Sequence, residues 1–470
     1  MENKKVSFAN FAVGFRASLL ITVLAVPSAH ADSLNEALVK AYQTNPQLLS
    51  ERANLRATDE EVAQAIAQWR PTISVSSDFS RNTVNSKSDV VLGAPSLNGV
   101  NVHTRTDPWN AQIQATQTVF AGGRILAQRR RADAQVRAER ARLASTEQGV
   151  LLDTVTSYMN VVRDDATVKL NQTNIDLLKK QLEEAKARFD VGEITRTDVS
   201  QAEARLASGQ AQLTAAEANL VVSRTAYQAT VGDAPGSLDA KPTLPALPES
   251  ETSALDTAKN QNPTLIAARE SEDAAKYSID NAVGQMLPTV RVSASYGRNG
   301  QEFGPETIGD DTRLTVSGTW PLYQGGAEWS QIRQAKELHN KARLDTEFAS
   351  RASDERVSNA WEAYRAAKAS TEANREQVKA SQIAFEGVQQ ELEVGSRTTL
   401  DVLNQQQELL NAQVALVRSE RDEIVAAYTL LSTVGKLTAQ DLQLPVQVYD
   451  PKDNYDMQTW RPLGLATYEN

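Results

Sequence analysis

The feature of this sequence that most constrains its fold is an internal repeat. Three landmark pairs recur 217 positions later in the chain, and three further pairs recur 203 positions later. The first group is Asn45-Pro46 with Asn262-Pro263, Pro71-Thr72 with Pro288-Thr289, and Arg81-Asn82 with Arg298-Asn299. The second group is Gly122-Gly123 with Gly325-Gly326, Val191-Gly192 with Val394-Gly395, and Val231-Gly232 with Val434-Gly435. A single change of offset, by 14, indicates a duplication in which the first copy carries 14 extra residues in one loop.

The repeat divides the 470-residue chain into segments. Residues 1–31 combine a basic start, a short apolar run (17–26) and a small-x-small end, which predicts a cleaved signal peptide. The apolar run is too short to span a bilayer as a helix. Repeat 1 covers 32–232, a proline-rich linker covers 233–251, and repeat 2 covers 252–441. Residues 442–470 form a polar tail that we expect to be partly disordered.

Composition excludes several classes of function. The chain has no cysteine and only three scattered histidines, so we expect neither a disulfide framework nor a metal site. Its formal net charge of −10 argues against nucleic acid as a partner. The sequence contains neither a phosphate-binding loop nor a Gly-x-Ser-x-Gly motif, and no histidine is placed to act as a base. We therefore expect no enzyme and no cofactor.

Each repeat contains a long helix-forming run. Residues 123–190 include no proline, and at about 1.5 Å per residue they make a rod of roughly 100 Å. Apolar and small residues recur at alternating spacings of three and four on both sides of Gly192, the pattern of a coiled-coil seam. Gly192 and Gly395 suit the left-handed end of one helix, and the threonines and Asp198 or Asp401 that follow supply capping oxygens for the next. The sequence thus predicts two antiparallel helical hairpins with tips near 192 and 395.

Two segments per repeat alternate apolar and polar residues with a period of two. They lie within 71–120 and 288–323, and each run has about the ten-residue length of a membrane β-strand. Four strands cannot close a barrel, and open edges are not tolerated in hydrocarbon. If the strands span a membrane, several chains must therefore share one barrel; two chains would supply eight strands and three would supply twelve. An ordinary half-buried hairpin in a soluble domain is the alternative.

These motifs in combination resemble the TolC family of outer-membrane channel-tunnels in Gram-negative bacteria. The resemblance rests on the two Val-Gly turns followed by Thr and Asp, the helix–strand–strand–helix plan in duplicate, and the tandem glycines, and it covers about 33–441. It implies an α+β membrane protein that forms a homotrimer, with a twelve-stranded β-barrel in outer-membrane lipid and an α-helical barrel in the periplasm. It also implies two protein partners: a periplasmic adaptor, and an inner-membrane ABC or proton-driven transporter.

The resemblance assigns roles to both tips. The implied adaptor-docking residues are Val191, Gly192, Glu193 and Thr195 at the first tip, and Val394, Gly395, Ser396 and Thr398 at the second. The implied periplasmic gate comprises Asp198, Arg397, Asp401 and Asn404. Asp401 matches an aspartate that forms a ring at the constriction, whereas Asn404 stands where the family often has a second aspartate. For Asp198, a simple helix-capping role is an equally good interpretation.

The implied function is the exit duct of a tripartite export system, for secreted proteins, small molecules or both. A general likeness favours the type I secretion branch, although no residue decides the cargo. The alternative is a periplasmic coiled-coil scaffold or adhesin without a pore, which explains the helical seams but not the four alternating strands.

Overall fold

The computed structural model describes residues 33–90, 97–301, 307–459, 461 and 464. The predicted signal peptide, residues 1–31, therefore lies outside the described residues. The described part contains nine α-helices and six β-strands. The helices are α1 (Leu34–Thr44), α2 (Pro46–Ala67), α3 (Arg124–Asp190), α4 (Arg196–Val231), α5 (Glu251–Gln261), α6 (Pro263–Gly284), α7 (Ala327–Glu393), α8 (Thr399–Val434) and α9 (Asp453–Thr459). The strands are β1 (Thr72–Phe79), β2 (Asn82–Val90), β3 (Leu97–Thr106), β4 (Pro108–Ala121), β5 (Thr289–Gln301) and β6 (Thr307–Thr319).

Two long helical hairpins dominate the molecule. Helices α3 and α7 each contain 67 residues, and the returning helices α4 and α8 each contain 36. Helix α3 packs along α4, α7 packs along α8, and α3 also contacts α8, so the two hairpins lie side by side. None of the described helices combines the length and the apolar character needed to cross a membrane.

Small residues allow the paired helices to approach closely. In the first hairpin, Ala202, Gly209 and Ala216 of α4 are buried. A Cβ atom built on Gly209 would lie 2.9 Å from Leu178 Cδ1 of α3, closer than such contacts normally occur. The alternation of small and large residues in the predicted seam therefore sets the spacing of the hairpin.

The single helix expected at the start of each repeat is two helices, broken at an Asn-Pro pair. Asn45 ends α1 and caps α2, where its Oδ1 accepts from Gln47 N at 2.9 Å, and Pro46 occupies the first position of α2. The Asn45 Nδ2 donates to Thr230 O at 3.0 Å, which satisfies a carbonyl at the end of α4. Asn262 repeats the arrangement and donates to Thr433 O at 2.9 Å. One asparagine side chain in each copy thus joins the short helices to the C-terminal end of the returning helix.

The four predicted strands form one antiparallel sheet in the order β1-β4-β5-β6. Pairing places Ile73, Ala115, Ala294 and Leu314 in one row across all four strands, and places Ser74, Gln114, Ser295 and Arg313 in the next. Successive rows point to opposite faces, so one face of the sheet is apolar and the other is polar. Within the described residues, β1 and β6 pair on one side only.

The structure adds two strands that the sequence did not predict. Strands β2 and β3 pair with each other in a separate two-stranded sheet, and they occupy the region to which the extra loop residues of the first copy were assigned. Asp107 is fully buried at the base of this hairpin, where its carboxylate accepts from Arg81 Nε at 3.0 Å and from Arg105 Nη2 at 3.5 Å. The insertion is therefore a hairpin with a fixed base.

Residues 442–459, the first part of the tail for which partial disorder is expected, pack on the helices of repeat 1. Arg52 of α2 lies between two aromatic rings, 4.5 Å from the centroid of Tyr42 and 5.2 Å from that of Tyr449. Asn454 Nδ2 donates to the buried Asp59 at 2.9 Å, so helix α9 is held on α2. These cation–π and hydrogen-bond contacts order the segment. Residues 465–470 lie outside the described residues.

Candidate functional site

The first tip (residues 191–195) is a tight reversal between α3 and α4. Gly192 has φ +81°, a conformation that glycine adopts without the Cβ clash of other residues. Its N–H donates to Phe189 O at 2.9 Å, and Glu193 N donates to Arg188 O at 2.9 Å, which closes the end of α3. The Arg188 guanidinium bonds both carboxylate oxygens of Glu193 at 3.1 and 3.2 Å. The tip thus carries its own bidentate ion pair.

The second tip (residues 394–398) has the same backbone conformation as the first tip, but the acid and the base of its ion pair exchange positions. Gly395 has φ +77°, and Ser396 N donates to Glu391 O at 2.9 Å. Here the acid belongs to the helix and the base to the turn, because Arg397 Nε donates to Glu391 Oε2 at 2.8 Å. The two tips therefore share a shape and differ in the direction of their ion pairs.

Each tip exposes one valine at its apex. Val191 is 78 % exposed and Val394 is 80 % exposed, among the most exposed large apolar side chains of the described residues. A Cβ on Gly192 or Gly395 would meet nothing within 4 Å, so both turns are open on their outer side. Apolar groups on a rigid, uncovered turn are suited to contact with another protein.

The residues after each turn form capping boxes. Thr195 N and Oγ1 both donate to Asp198 Oδ2, at 2.9 and 2.8 Å. Thr398 donates in the same way to Asp401 Oδ2, at 3.0 and 2.8 Å, and Asp401 N donates back to Thr398 Oγ1 at 3.3 Å. In each cap, hydrogen bonds from the threonine lower the pKa of the aspartate; the backbone N–H has the larger effect and the hydroxyl the smaller. Both aspartates are therefore carboxylates at neutral pH.

The four predicted gate residues are not brought together within one chain. Asp198 and Asp401 cap different helices, and Arg397 bonds Glu391 of its own tip. Asn404 accepts a hydrogen bond from Arg205 Nη2 of the first hairpin at 2.7 Å. The sequence predicted no role for Arg205, Arg188 or Glu391. The last two carried a signal, since each stands within six residues of an opposite charge across a turn.

The apolar face of the four-stranded sheet is exposed. Ile73, Val75, Leu314 and Val316 are 69, 76, 75 and 68 % exposed. They come from both edge strands, and Ile113 and Tyr296, also exposed, join them on the strands between. An apolar face of this kind is covered by lipid or by another protein in a stable structure.

Comparison with known proteins identifies the family. The model of the outer membrane efflux protein family matches residues 37–233 and 254–436, one match to each repeat. The chain belongs to this family. Among curated relatives, the outer membrane efflux protein BepC of Brucella suis is 35 % identical over 447 residues, which cover 95 % of this chain and 94 % of BepC. The outer membrane protein TolC of Vibrio cholerae is 27 % identical, covering 88 % of this chain and 92 % of TolC.

Solved structures of outer membrane proteins have the same fold. The Campylobacter jejuni CmeC outer membrane channel superposes with a TM-score of 0.77 at 15 % identity, covering 91 % of this chain and 89 % of CmeC. The Vibrio cholerae outer membrane protein VceC gives 0.73 at 21 % identity, covering 86 % and 96 %. Membership in the outer membrane efflux protein family confirms the predicted fold class and places the chain in the Gram-negative outer membrane, with its helices in the periplasm.

Proposed function

We propose that this outer membrane efflux protein is the exit duct of a tripartite export system and works as a homotrimer. The observation that carries the proposal is the sheet with one apolar face, one polar face and two open edges. Edges of this kind need strands from other copies, and three copies supply the twelve strands of a closed barrel. The apolar face then meets lipid, and the polar rows line a passage for cargo.

The proposal is tested by reconstitution. Protein extracted with detergent and added to planar lipid bilayers should produce discrete ion-conducting steps. A protein that stays in solution without detergent and produces no steps would favour the scaffold alternative.

We propose that both tips dock a periplasmic adaptor protein. Support comes from the exposed apex valines, held on turns that are fixed by ion pairs and capping boxes. Val191→Asp and Val394→Asp place a charge on the contact without changing the glycine turn, so both should reduce export and adaptor cross-linking while the protein still inserts. Val448→Asp changes an exposed valine of the C-terminal segment, outside both tips, and is the matched control. Normal cross-linking of both tip variants to the adaptor would contradict a docking role for the tips.

We propose further that Asp401 forms the charged ring of the periplasmic gate. The hydrogen bonds from Thr398 hold its carboxylate ionised, and three such groups on the axis would attract cations. Asp401→Asn keeps an acceptor for the cap and removes the charge, so it should weaken block by multivalent cations. Arg397 and Asp198 are proposed as contacts between helices in the closed tunnel; for Arg397, such a contact competes with its bond to Glu391. Unchanged block in the Asn variant would mean that the ring lies elsewhere.

The cargo is proposed to include secreted proteins and small molecules. Relatives of this chain include the alkaline protease secretion protein AprF of Pseudomonas aeruginosa and the fusaric acid resistance protein FusA of Burkholderia cepacia, which point to both classes. We favour type I secretion, through an inner-membrane ABC transporter, over a proton-driven pump. Identification of the inner-membrane protein cross-linked to the assembled complex tests this choice.

A further inference from the structure

A polar groove runs between α4 and α8, with α3 as its floor. Two adjoining cavities of about 460 and 420 Å³ form the groove, and Thr167, Asn219 and Arg418 line both of them. Gln212 precedes Asn219 by seven residues on α4, and Asn411 precedes Arg418 by seven on α8. Seven residues are two helical turns, so each pair lies on one face of its helix. Each cavity has the volume of a small-molecule site, and its walls offer polar groups.

Arg418 carries the one positive charge of this groove that no acid neutralises within the described residues. On the floor, Arg163 bonds both carboxylate oxygens of Asp164, at 2.8 and 3.0 Å. Arg421, one turn further along α8, pairs with Asp422 at 2.7 Å. In the part of the chain that the structure describes, no hydrogen bond or ion pair involves the Arg418 side chain. A guanidinium with its donors unused is suited to bidentate contact with carboxylate or phosphate oxygens.

The groove lies on the side of α3 that the connecting segments leave open. Tyr158 Oη donates to Asp239 O at 3.1 Å, and Glu147 Oε1 accepts from Ala439 N at 2.7 Å. These two α3 residues are eleven positions apart, about three turns, so the segments that follow α4 and α8 cover one side of the helix. Thr167 stands nine positions after Tyr158, about two and a half turns, and therefore on the opposite side. In a closed ring of helices, the covering segments must lie outside, because inside they would obstruct the passage; the groove then faces the passage.

We propose that this groove binds oxyanion groups of the cargo, with Arg418 as the charged contact and Asn219 and Asn411 as amide contacts. Asn411 Oδ1 already accepts from Gln407 Nε2 at 3.0 Å, which leaves the Nδ2 of Asn411 as a donor toward the groove. The inference rests on the proposed exit duct, in which three copies place three such grooves around one passage. Positive charge inside a narrow passage concentrates anions there, even though the chain as a whole has a formal net charge of −10.

The test is block of single-channel current in planar bilayers by citrate and, in a separate arm, by pyrophosphate. Loss of a hydrogen bond to a charged group corresponds to at least about a ten-fold change in affinity. Arg418→Gln should therefore raise the half-blocking concentration about ten-fold while the channel still conducts. Arg418→Lys keeps the charge without the bidentate fork and should recover part of the block. A change for citrate alone would assign the groove to carboxylates, and a change for pyrophosphate alone would assign it to phosphates.

Arg224→Gln is the matched control, because it removes an arginine from the opposite side of the same helical layer. Arg224 pairs at 3.7 Å with Asp165, which stands two turns after Tyr158 on the covered side of α3. This variant should leave block by both anions unchanged. Equal changes in the Arg224 and Arg418 variants, unchanged block in Arg418→Gln, or a parent channel that neither anion blocks would overturn the groove as an oxyanion site. Absence of any conducting steps from the parent protein would instead overturn the proposed function.

Discussion

Leu314 offers the sharpest test of how the sheet is covered. It is 75 % exposed on the apolar face, and it lies opposite Ala294, near the middle of both strands. On a solvated surface, Leu314→Arg would change the unfolding free energy by no more than about 0.5 kcal/mol, because no packing is lost. Facing lipid at the bilayer centre, an arginine costs about 2–4 kcal/mol per chain, or roughly 6–12 kcal/mol for three chains.

The adjacent Thr315 is the matched control. It pairs with Ser293 in a polar row, on the opposite face of the same strand. Thr315→Arg should therefore be tolerated, and it should alter conductance rather than stability. The assay is denaturant unfolding of both variants in phospholipid bilayers, together with the amount of each that reaches the outer membrane. Equal stability of the two variants would refute the assignment of the apolar face to lipid.

Three further predictions concern the helical base. Gly435→Ala should lower the melting temperature far more than Gly232→Ala, because its Cβ would lie 2.3 Å from the carbonyl oxygen of Gln261, whereas Gly232 has no backbone neighbour that close; equal losses would contradict this close approach. Arg52→Leu should cost about 2 kcal/mol and expose the C-terminal segment to proteases, because the cation between two tyrosine rings is lost; an unchanged protease pattern would argue against this anchor. Burial raises the pKa of Glu147, so the folded state binds its proton more tightly and loses stability as pH rises through that pKa. Glu147→Gln removes this dependence of stability on pH, so its effect on the melting temperature should be more favourable at pH 8 than at pH 5. The same effect at both pH values would contradict the raised pKa.

The parts of the fold that the sequence predicted are those with a local periodic signal. Strand β1 alternates Ile73 and Val75 with serines, and the tip at Gly192 interrupts a long run of helix formers. The hairpin of β2 and β3 was missed because its residues are mostly polar and its apolar alternation is confined to Val100 and Val102. Its strands satisfy each other's backbone groups, so only pairing geometry reveals them.

The contacts that were missed join distant parts of the chain. Arg205 and Asn404 are 199 residues apart, and neither stands in a pattern that would suggest the other. The same holds for Arg52 and the ring of Tyr449, which meet only because the C-terminal segment returns to α2. For Asp198 the sequence left two interpretations open. The structure gives it a capping role within the chain, and its proposed role in the gate depends on helices from other copies.

The number of chains in the extracted particle is the most direct test of a β-barrel shared between copies. Light scattering of the detergent-solubilised protein, with the detergent contribution subtracted, should give three chains per particle, the number that supplies the twelve strands of the proposed barrel. A monomer that is monodisperse and stable without detergent, with the same four strands protected from hydrogen exchange, would contradict the account.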